Sequence, residues 1–327
     1  MSAAGRDRPP VRTTIVMLSV DEAHLLEHSL PAAVAQPGVE VLVVDNASED
    51  ATETLAGAHG ARYMRLRERL SYAAAVNAGI AGSDGDAVLL LNADCVIAPD
   101  FLAAATAQLR DPTVGSVAPK LIRSASVAAT DRLDVLDTAG MTVDRRRKNG
   151  LVGHNTPAGS YSRRTETFGG DGAAVLYRRE TLAACALGVE VLDEDFELWA
   201  ADVDLAWRAQ LLGWRSIYEP AAVAWHVRYY SPSTRAALDP AHRRLQFRNR
   251  YLMIAKNETL GGLARDLPRI LAYEILALGH VLLRERHLLG GYRDAWRLLP
   301  AARRRRALIA PRRDRRRRVP FGLAPPA

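Results

Sequence analysis

The chain has 327 residues, of which 48% are hydrophobic and 25% are charged, a composition that is ordinary for a soluble globular protein with a full core. Its two cysteines, Cys95 and Cys185, have no metal-ligand spacing and lie in apolar stretches, which indicates buried thiols of a reducing compartment rather than a disulfide. The N-terminal residues are polar, and no apolar run reaches the roughly 18 residues of a membrane span, so we expect neither a signal peptide nor a transmembrane helix.

Strand and helix patterns alternate through the first part of the chain, after a leader over residues 1–12 that we expect to be disordered. Apolar runs predict strands and 3.6-residue spacing predicts helices, in the order strand 13–19, helix 22–35, strand 39–44, helix 51–58, strand 63–66, helix 72–81 and strand 87–91. Short polar connections between such elements are typical of βαβ units, so the fold class is α/β with a Rossmann-like, mostly parallel sheet flanked by helices.

The second half of the chain is less regular. Residues 125–170 are rich in Gly, Arg and Thr and predict an insertion of hairpins and loops, after which a strand at 172–176, a helix at 196–212 and a strand at 222–227 follow. From residue 241 the pattern is helical and basic. We therefore divide the chain into an α/β domain over 13–240, an amphipathic helical segment over 241–300 and a disordered polybasic tail over 301–327.

One strand leads into a lone carboxylate. Residues 88–91 are four consecutive apolar residues, as in a strand buried on both faces, and Asn92 and Asp94 follow at its carboxyl end, where open α/β sheets bind ligands. A single carboxylate suits Mg²⁺ or Mn²⁺, which bind through one or two carboxylates and the phosphates of a substrate. The alternative is that Asp94 caps the helix that begins near Phe101.

A second strand also ends in an acid. Asp45 follows the apolar run at 39–44 and is placed to accept hydrogen bonds from a base or ribose, whereas Asp50 is interpreted as a helix cap. The chain has neither a GxGxxG nor a GxxxxGK[ST] phosphate-binding loop. If a diphosphate binds here, a metal ion has to offset its charge.

The helix predicted at 196–212 carries two acids with different expected roles. Asp204 and Arg208 are four residues apart and predict an ion pair on one face. Asp202 lies about half a turn away from Asp204, and a carboxylate that faces a cleft can take the proton of an attacking hydroxyl. His226 ends the strand at 222–227, and both a hydrogen-bonded core histidine and a metal ligand are open interpretations of it.

Together these segments resemble a family-2 inverting glycosyltransferase of the GT-A fold, close to bacterial rhamnosyltransferase-like enzymes. The matching segments are VVDNASED (43–50), YAAAVNAGI (72–80), LLNADC (90–95), GGDGAAVLYRRE (169–180), LDEDFELWAADVDLAWR (192–208), GWRSIYEPAAVAWHVR (213–228) and RNRYLMIAKN (248–257). The family usually has Glu-Asp where this chain has Ala201-Asp202, and Gly where it has Ser71.

The resemblance implies a role for each candidate residue. Asp45 contacts the nucleoside, and Asn77 and Asn92 line the nucleotide site. Asp94 and His226 hold a divalent metal, Mg²⁺ or Mn²⁺, on the donor diphosphate, and Asp202 is the general base. The implied reaction moves a sugar, with rhamnose as one candidate, from a nucleotide-sugar donor to a hydroxyl of a glycan or lipid-linked acceptor with inversion, for cell-wall or surface polysaccharide synthesis.

Charge is distributed unevenly along the chain. The net charge is −8 over residues 1–240, +6 over 241–300 and +9 over 301–327, which add to the +7 of the whole chain. Basic amphipathic helices beside arginine clusters bind anionic membranes, so we expect a cytoplasmic protein that is peripheral on the inner face of the cell membrane. Two alternatives are a nucleic-acid-binding protein, disfavoured because no aromatic residues interleave the arginines, and a catalytically weakened relative that acts as a scaffold, suggested by Ala201.

Overall fold

A large sheet with helices on both faces positions the polar strand ends. The computed structural model describes residues 11–230 and 232–323. Its strands are β1 (Thr13–Ser19), β2 (Val39–Asp45), β3 (Arg62–Arg65), β4 (Ala87–Asn92), β5 (Cys95–Ile97), β6 (Val114–Ser124), β7 (Arg132–Thr138), β8 (Met141–Val143), β9 (Asn149–Leu151), β10 (Thr165–Thr167), β11 (Ala174–Arg178) and β12 (Arg215–His226). Its α-helices are α1 (Ala23–Val34), α2 (Thr52–Ala58), α3 (Tyr72–Ala81), α4 (Phe101–Gln108), α5 (Arg179–Cys185), α6 (Ala201–Leu211), α7 (Pro240–Asn257), α8 (Leu260–Leu283) and α9 (Leu289–Ile309).

The strand order in the main sheet is β10-β12-β6-β11-β4-β1-β2-β3. The four strands from β4 to β3 are parallel, β6 and β12 are parallel to each other, and β11 runs antiparallel between β4 and β6. The predicted α/β class with a mostly parallel sheet is confirmed. Because β1, β2 and β4 are parallel, their carboxyl ends and the polar residues that follow them meet at one edge.

Alternate residues of each strand face opposite sides of the sheet and build two hydrophobic layers. On one side Val16 and Leu90 pack with residues of α3 and α6, including Trp207, and on the other side Ile15 and Leu89 pack with residues of α1 and α4. The residues of β4 from Val88 to Leu91 are all buried, as a strand covered on both faces requires. Cys95 and Cys185 are both buried free thiols.

Most predicted elements are present with shifted ends, and the exception lies before α6. The chain forms a 3-10 turn at Glu194–Phe196, and the helix begins only at Ala201 rather than near residue 196. Glu197 and Ala200 have φ angles of 62° and 65°, which an α-helix cannot accommodate, and Leu198 is therefore exposed instead of in the buried stripe. This correction moves Asp202 into the first turn of α6.

Side-chain caps define several helix starts. Ser71, which stands where the resemblance implies glycine, accepts a hydrogen bond from the backbone N–H of Ala74 at the start of α3. Asp239 caps α7 in front of Pro240, and Thr259 caps α8. The region after residue 239 is helical, as predicted for 241–300, and α7 and α8 both begin at a side-chain cap.

The expectation of a disordered tail over 301–327 is wrong for the described residues up to 323. Helix α9 continues to Ile309, and the chain after it packs against the α/β domain over 13–240. Asp314 N–H donates to Leu211 O at the end of α6, and the Phe321 ring lies 5.0 Å from the Trp207 ring and 6.3 Å from the Phe168 ring. The tail folds because it has an apolar anchor that its charge composition does not reveal. Residues 324–327 lie outside the described part of the chain.

The leader expected over 1–12 falls almost entirely outside the described residues, which begin at residue 11. Arg12 pairs with Asp86 on the surface. Residues 125–170 form the predicted hairpins and loops, including the β8–β9 pair, while β7 joins the main sheet beside β6. Within 11–230 and 232–323, no helix combines the length and the apolar character needed to cross a membrane.

Candidate active site

Asp94 and His226 meet at the carboxyl edge of the sheet. Asp94 lies in the turn between β4 and β5, and the antiparallel pairing of β5 with β12 places His226 opposite Cys95. The imidazole Nε2 of His226 is 3.5 Å from Asp94 Oδ1, and this oxygen is buried without a hydrogen-bond partner among the described residues. The alternative that Asp94 caps the following helix is wrong, since Asp100 occupies the N-cap position of α4.

The second ring nitrogen of His226 contacts a carboxylate that the sequence did not identify. His226 Nδ1 is 2.8 Å from Asp137 Oδ2, and the Arg228 guanidinium donates to both Asp137 and Asp171. Asp137 and Asp171 come from different parts of the chain, and their spacing carries no signal. The only clue to Asp171 was its place in the GGDG segment.

The charges in this cluster determine its protonation. Burial disfavours the charged form of His226, but its hydrogen bond with Asp137 and the nearby negative charge of Asp94 outweigh this and raise its pKa to about 9. Burial alone would raise the pKa of Asp137, yet His226 and Arg228 lower it to about 2. Without a metal the imidazole therefore carries a proton on each nitrogen and lies as a cation between two carboxylates. A metal ion bound at Nε2 would displace the proton on that nitrogen.

Asp94 and His226 would fit a divalent metal if its remaining ligands came from a substrate. In the described ranges, no group of three or more His, Cys, Asp and Glu side chains is arranged to hold an ion. The unpartnered oxygen of Asp94 and the adjacent imidazole nitrogen of His226 could supply two ligands on one side of an ion. Mg²⁺ and Mn²⁺ take the rest of their coordination from phosphate oxygens and water.

Asp202 lies half-buried in the first turn of α6. Its Oδ2 accepts a hydrogen bond from the Gly172 N–H at 3.0 Å, and its Oδ1 accepts one from Val203 N–H at 2.8 Å. Burial and the neighbouring charge of Asp171 raise the pKa of Asp202 to about 6. A carboxylate with a pKa just below neutral is suited to general-base catalysis.

The other acid of the helix is structural. Asp204 is fully buried and pairs with Arg208 at 2.9 Å, as the i, i+4 spacing predicts, and it also contacts Lys256 at 2.8 Å and Asn257 at 2.7 Å. Lys256 and Asn257 belong to α7, so this ion-pair network attaches the helical extension to α6. Ala201 is 1% exposed and points into the core rather than toward solvent.

Asp45 lies at the end of β2, and its carboxylate is hydrogen-bonded to other groups of the protein. It accepts hydrogen bonds from Ser48 N–H at 2.7 Å, from the Tyr63 hydroxyl and from Arg65 at 2.7 Å. Burial would raise the pKa of Asp45, and these hydrogen bonds lower it instead. Arg65, the ion-pair partner of Asp45, is half exposed. Asp50 accepts hydrogen bonds from the N–H groups of Thr52 and Ala23 at the start of α2 and α1, although Ala51 rather than Asp50 occupies the N-cap position of α2.

The two asparagines differ. Asn92 is half-buried, and its backbone N–H donates to Ala173 O, which places it beside the Asp171 loop. Asn77, in contrast, has no capacity left for a nucleotide. Its amide donates to Leu192 O and Glu194, and its oxygen accepts from the N–H groups of Val191 and Leu192, which uses both donors and both lone pairs. In this structure Asn77 instead fixes the loop that precedes α6.

Glu22 is a further acid at this edge that the sequence did not single out. It follows β1, and burial together with the nearby charge of Asp94 raises its pKa to about 7. The edge therefore combines an unpartnered metal-type carboxylate at Asp94 with a carboxylate of elevated pKa at Asp202 and a fixed cation at Arg228.

Comparisons with known proteins identify the family of the chain. The family model of "Glycosyl transferase family 2" matches residues 14–183, just over half of the chain. An uncharacterized glycosyltransferase of Mycobacterium tuberculosis is 33% identical over 151 residues, which cover 41% of this chain and 67% of the relative. An uncharacterized protein of Sinorhizobium fredii is 27% identical over 225 residues, 64% of this chain and 23% of the relative.

Solved structures share the fold at low sequence identity. S. aureus TarS in complex with UDP-GlcNAc is 15% identical with a TM-score of 0.59, covering 92% of this chain and 89% of that one. A mannosyltransferase from Pyrobaculum calidifontis in complex with GDP-Man and Mn²⁺ is 19% identical with a TM-score of 0.52, covering 93% and 91%. GalNAc-T7 with UDP, GalNAc and Mn²⁺ is 15% identical with a TM-score of 0.54, covering 76% and 48%.

Proposed function

The chain belongs to glycosyl transferase family 2, and from this premise we propose that it transfers a sugar from a nucleotide-diphosphate donor to an acceptor hydroxyl with inversion. The observation that carries the proposal is the unpartnered Asp94 carboxylate facing His226, at the same sheet edge as the Asp171 loop that contacts Asp202. TarS and the Pyrobaculum mannosyltransferase, which share the fold, have been solved with nucleotide sugars, and this supports the same donor class here.

Asp202 is the proposed general base. Its carboxylate takes the proton of the acceptor hydroxyl while that oxygen attacks the anomeric carbon of the donor. The bond between the anomeric carbon and the diphosphate oxygen breaks, and the electron pair leaves with the nucleoside diphosphate. Because attack comes from the face opposite the leaving group, a single displacement inverts the anomeric configuration.

Asp94 and His226 would hold a divalent metal, Mg²⁺ or Mn²⁺, at the donor diphosphate. When bound, such an ion offsets the negative charge that develops on the leaving group. Two similar structures were solved with Mn²⁺, which supports this cofactor class. Arg228 is fixed between Asp137 and Asp171 and adds a permanent positive charge to the same edge.

A donor screen tests the transferase proposal. UDP-GlcNAc, GDP-mannose and dTDP-rhamnose are added with and without Mn²⁺ while the unfolding temperature is measured. Since ligand at 100 times its Kd adds about 2.7 kcal/mol of stability, a bound donor raises the Tm by several degrees. We expect at least one donor to do so only with Mn²⁺, and to lose this effect in Asp94→Asn. Stabilisation by random duplex DNA, with none by any donor, would instead favour the nucleic-acid alternative.

We also propose that α8 binds an anionic membrane surface, where a lipid-linked acceptor would be found. Its inner face packs through Ile270 and Val281, while its outer face exposes a continuous apolar stripe that includes Leu260, Leu267, Leu271, Ile275, Leu276, Leu282 and Leu283. Ile275 and Leu276 are each 72% exposed, and Trp296 of α9 is 75% exposed. Exposed arginines of α8 and α9, Arg265, Arg269, Arg293 and Arg297, accompany these apolar residues.

Charge and apolar area together favour a lipid surface over a protein groove. Each arginine near an anionic membrane contributes about 1 kcal/mol, in addition to the burial of the stripe. Sedimentation with phosphatidylserine-containing vesicles tests this, with Ile275→Asp and Leu276→Asp expected to reduce the bound fraction. Val189→Asp is the matched control, because Val189 is an exposed apolar residue away from the stripe. Equal binding by all three variants would refute the assignment, and with it the proposed location on the inner membrane face.

A further inference from the structure

The Asp137 carboxylate is fully buried behind His226, on the side away from Asp94. It comes from the end of β7, where pairing between Leu121 and Thr138 fixes the strand against β6. Its backbone carbonyl accepts a hydrogen bond from His154 Nδ1 at 2.9 Å if that nitrogen carries the proton. The carboxylate therefore sits at a position that the surrounding strands determine.

Each oxygen of Asp137 has its own partner. Oδ2 is 2.8 Å from His226 Nδ1, and Oδ1 accepts a hydrogen bond from Arg228 Nε at 2.5 Å. Arg228 is a permanent cation held on its other side by Asp171, so its hydrogen-bond donor cannot be withdrawn. The hydrogen bond at Nδ1 keeps a proton on this nitrogen and turns Nε2 toward Asp94.

We propose that Asp137 is a positioning residue, which holds the His226 ring with its proton on Nδ1 and its Nε2 available to the divalent metal. This inference rests on the proposed function, because it concerns the same metal site. Outer carboxylates of this kind fix the tautomer and orientation of a ligand histidine, and their substitution commonly costs about 10–100-fold in metal affinity.

Asp137→Asn tests this role directly, because Arg228 determines which way the asparagine amide is oriented. An asparagine has one oxygen and one NH₂ group, and an NH₂ group facing the Arg228 donor would repel it. The oxygen therefore turns toward Arg228, and the NH₂ group faces His226 Nδ1. That nitrogen then has to accept a hydrogen bond, so a neutral ring carries its proton on Nε2. A metal at Nε2 requires the proton to stay on Nδ1 instead, where it would face the NH₂ group. The volume of the side chain hardly changes.

The measurement is calorimetric binding of UDP and of GDP to the full chain, with and without Mn²⁺. We expect Asp137→Asn to weaken Mn²⁺-dependent binding about 10–100-fold and to leave metal-free binding unchanged. Asp134→Asn is the matched control, because Asp134 is an exposed acid of the same strand. Thermal unfolding of each variant shows whether it is folded.

A double-mutant cycle with His226→Gln separates positioning from a general structural role. If Asp137 acts through His226, Asp137→Asn has little further effect on Mn²⁺-dependent binding once His226 is replaced. If Asp137→Asn fails to fold, the cycle uses Asp137→Glu, which keeps the charge but displaces the carboxylate, and we expect the same non-additivity.

Three outcomes would overturn the inference. They are wild-type Mn²⁺-dependent affinity in Asp137→Asn, an equal loss of metal-free and metal-dependent binding, and additive effects in the cycle. The first and third outcomes overturn only the role of Asp137 and leave the proposed metal site standing. If the wild-type chain itself shows no Mn²⁺-dependent binding of either nucleotide, the proposed metal site is wrong and the role of Asp137 falls with it.

Discussion

The Nε2 atom of His226 lies 3.5 Å from Asp94 Oδ1, although Asp94 follows β4 and His226 ends β12, more than a hundred residues later. The short strand β5 creates this proximity, since it follows Asp94 directly and pairs antiparallel with the end of β12. A hydrogen bond from Val227 N–H to the Asp94 carbonyl closes the same junction. Backbone pairing, rather than side-chain contact, thus brings the two proposed metal ligands together.

Asp94→Asn should weaken the metal-dependent part of donor binding. The substitution removes the negative charge of the unpartnered oxygen, and the loss of a charged contact worth about 1.5–3 kcal/mol corresponds to roughly 10–100-fold in affinity. Calorimetry with UDP and GDP in the presence of Mn²⁺ measures this. Asp100→Asn, a nearby exposed acid, should bind as the wild type does. Unchanged affinity in Asp94→Asn would contradict the ligand assignment.

Asp202→Asn should lower turnover while leaving donor affinity intact. An amide cannot take the proton of the acceptor, and the loss of general-base assistance typically costs about 10²–10⁴-fold in rate. Release of nucleoside diphosphate gives the rate, and calorimetry gives donor affinity. Glu180→Gln, at an exposed carboxylate in α5, is the control. Wild-type turnover in Asp202→Asn would exclude it as the base, whereas donor binding without transfer by the wild type would favour the scaffold alternative.

Turnover should rise with pH through the pKa of Asp202. This pKa is about 6, because burial and Asp171 disfavour the ionised form that the reaction needs. The ionised fraction is then about one tenth at pH 5 and about nine tenths at pH 7, so kcat should increase about tenfold over this range. Asp171→Asn removes the neighbouring negative charge and should move the midpoint to lower pH. A kcat that does not change with pH over this range would show that ionisation of Asp202 does not control the chemical step.

Phe321→Ala should destabilise the protein although the residue lies in the arginine-rich tail. The ring contacts Trp207 of α6 and Phe168, and the Arg147 guanidinium lies 3.7 Å from its centroid. Loss of these contacts should cost about 2–3 kcal/mol, measured by urea denaturation. Leu308→Ala, at a 47% exposed residue of α9, should change stability by less than about 0.5 kcal/mol. An equal effect of the two substitutions would show that the tail is not a structural anchor.

The sequence by itself determined the α/β class, most strand positions and the residues at strand ends. Those features are local: an apolar run such as 88–91 specifies a buried strand, and the polar residue that ends it specifies the edge of the sheet. The prediction that Asp204 pairs with Arg208 rested on helix geometry alone, and the structure confirms it at 2.9 Å. The resemblance to glycosyl transferase family 2 is confirmed as well.

Only the tertiary structure decided which polar groups face each other and which are already satisfied. Asn77 was expected to line the nucleotide site, but it uses its hydrogen-bonding capacity on the segment 191–194 before α6. Asp137, which the sequence did not single out, lies behind His226. The positively charged tail is ordered because Phe321 packs against Trp207 of α6. Such outcomes depend on contacts between distant segments, and neither charge composition nor local periodicity contains that information.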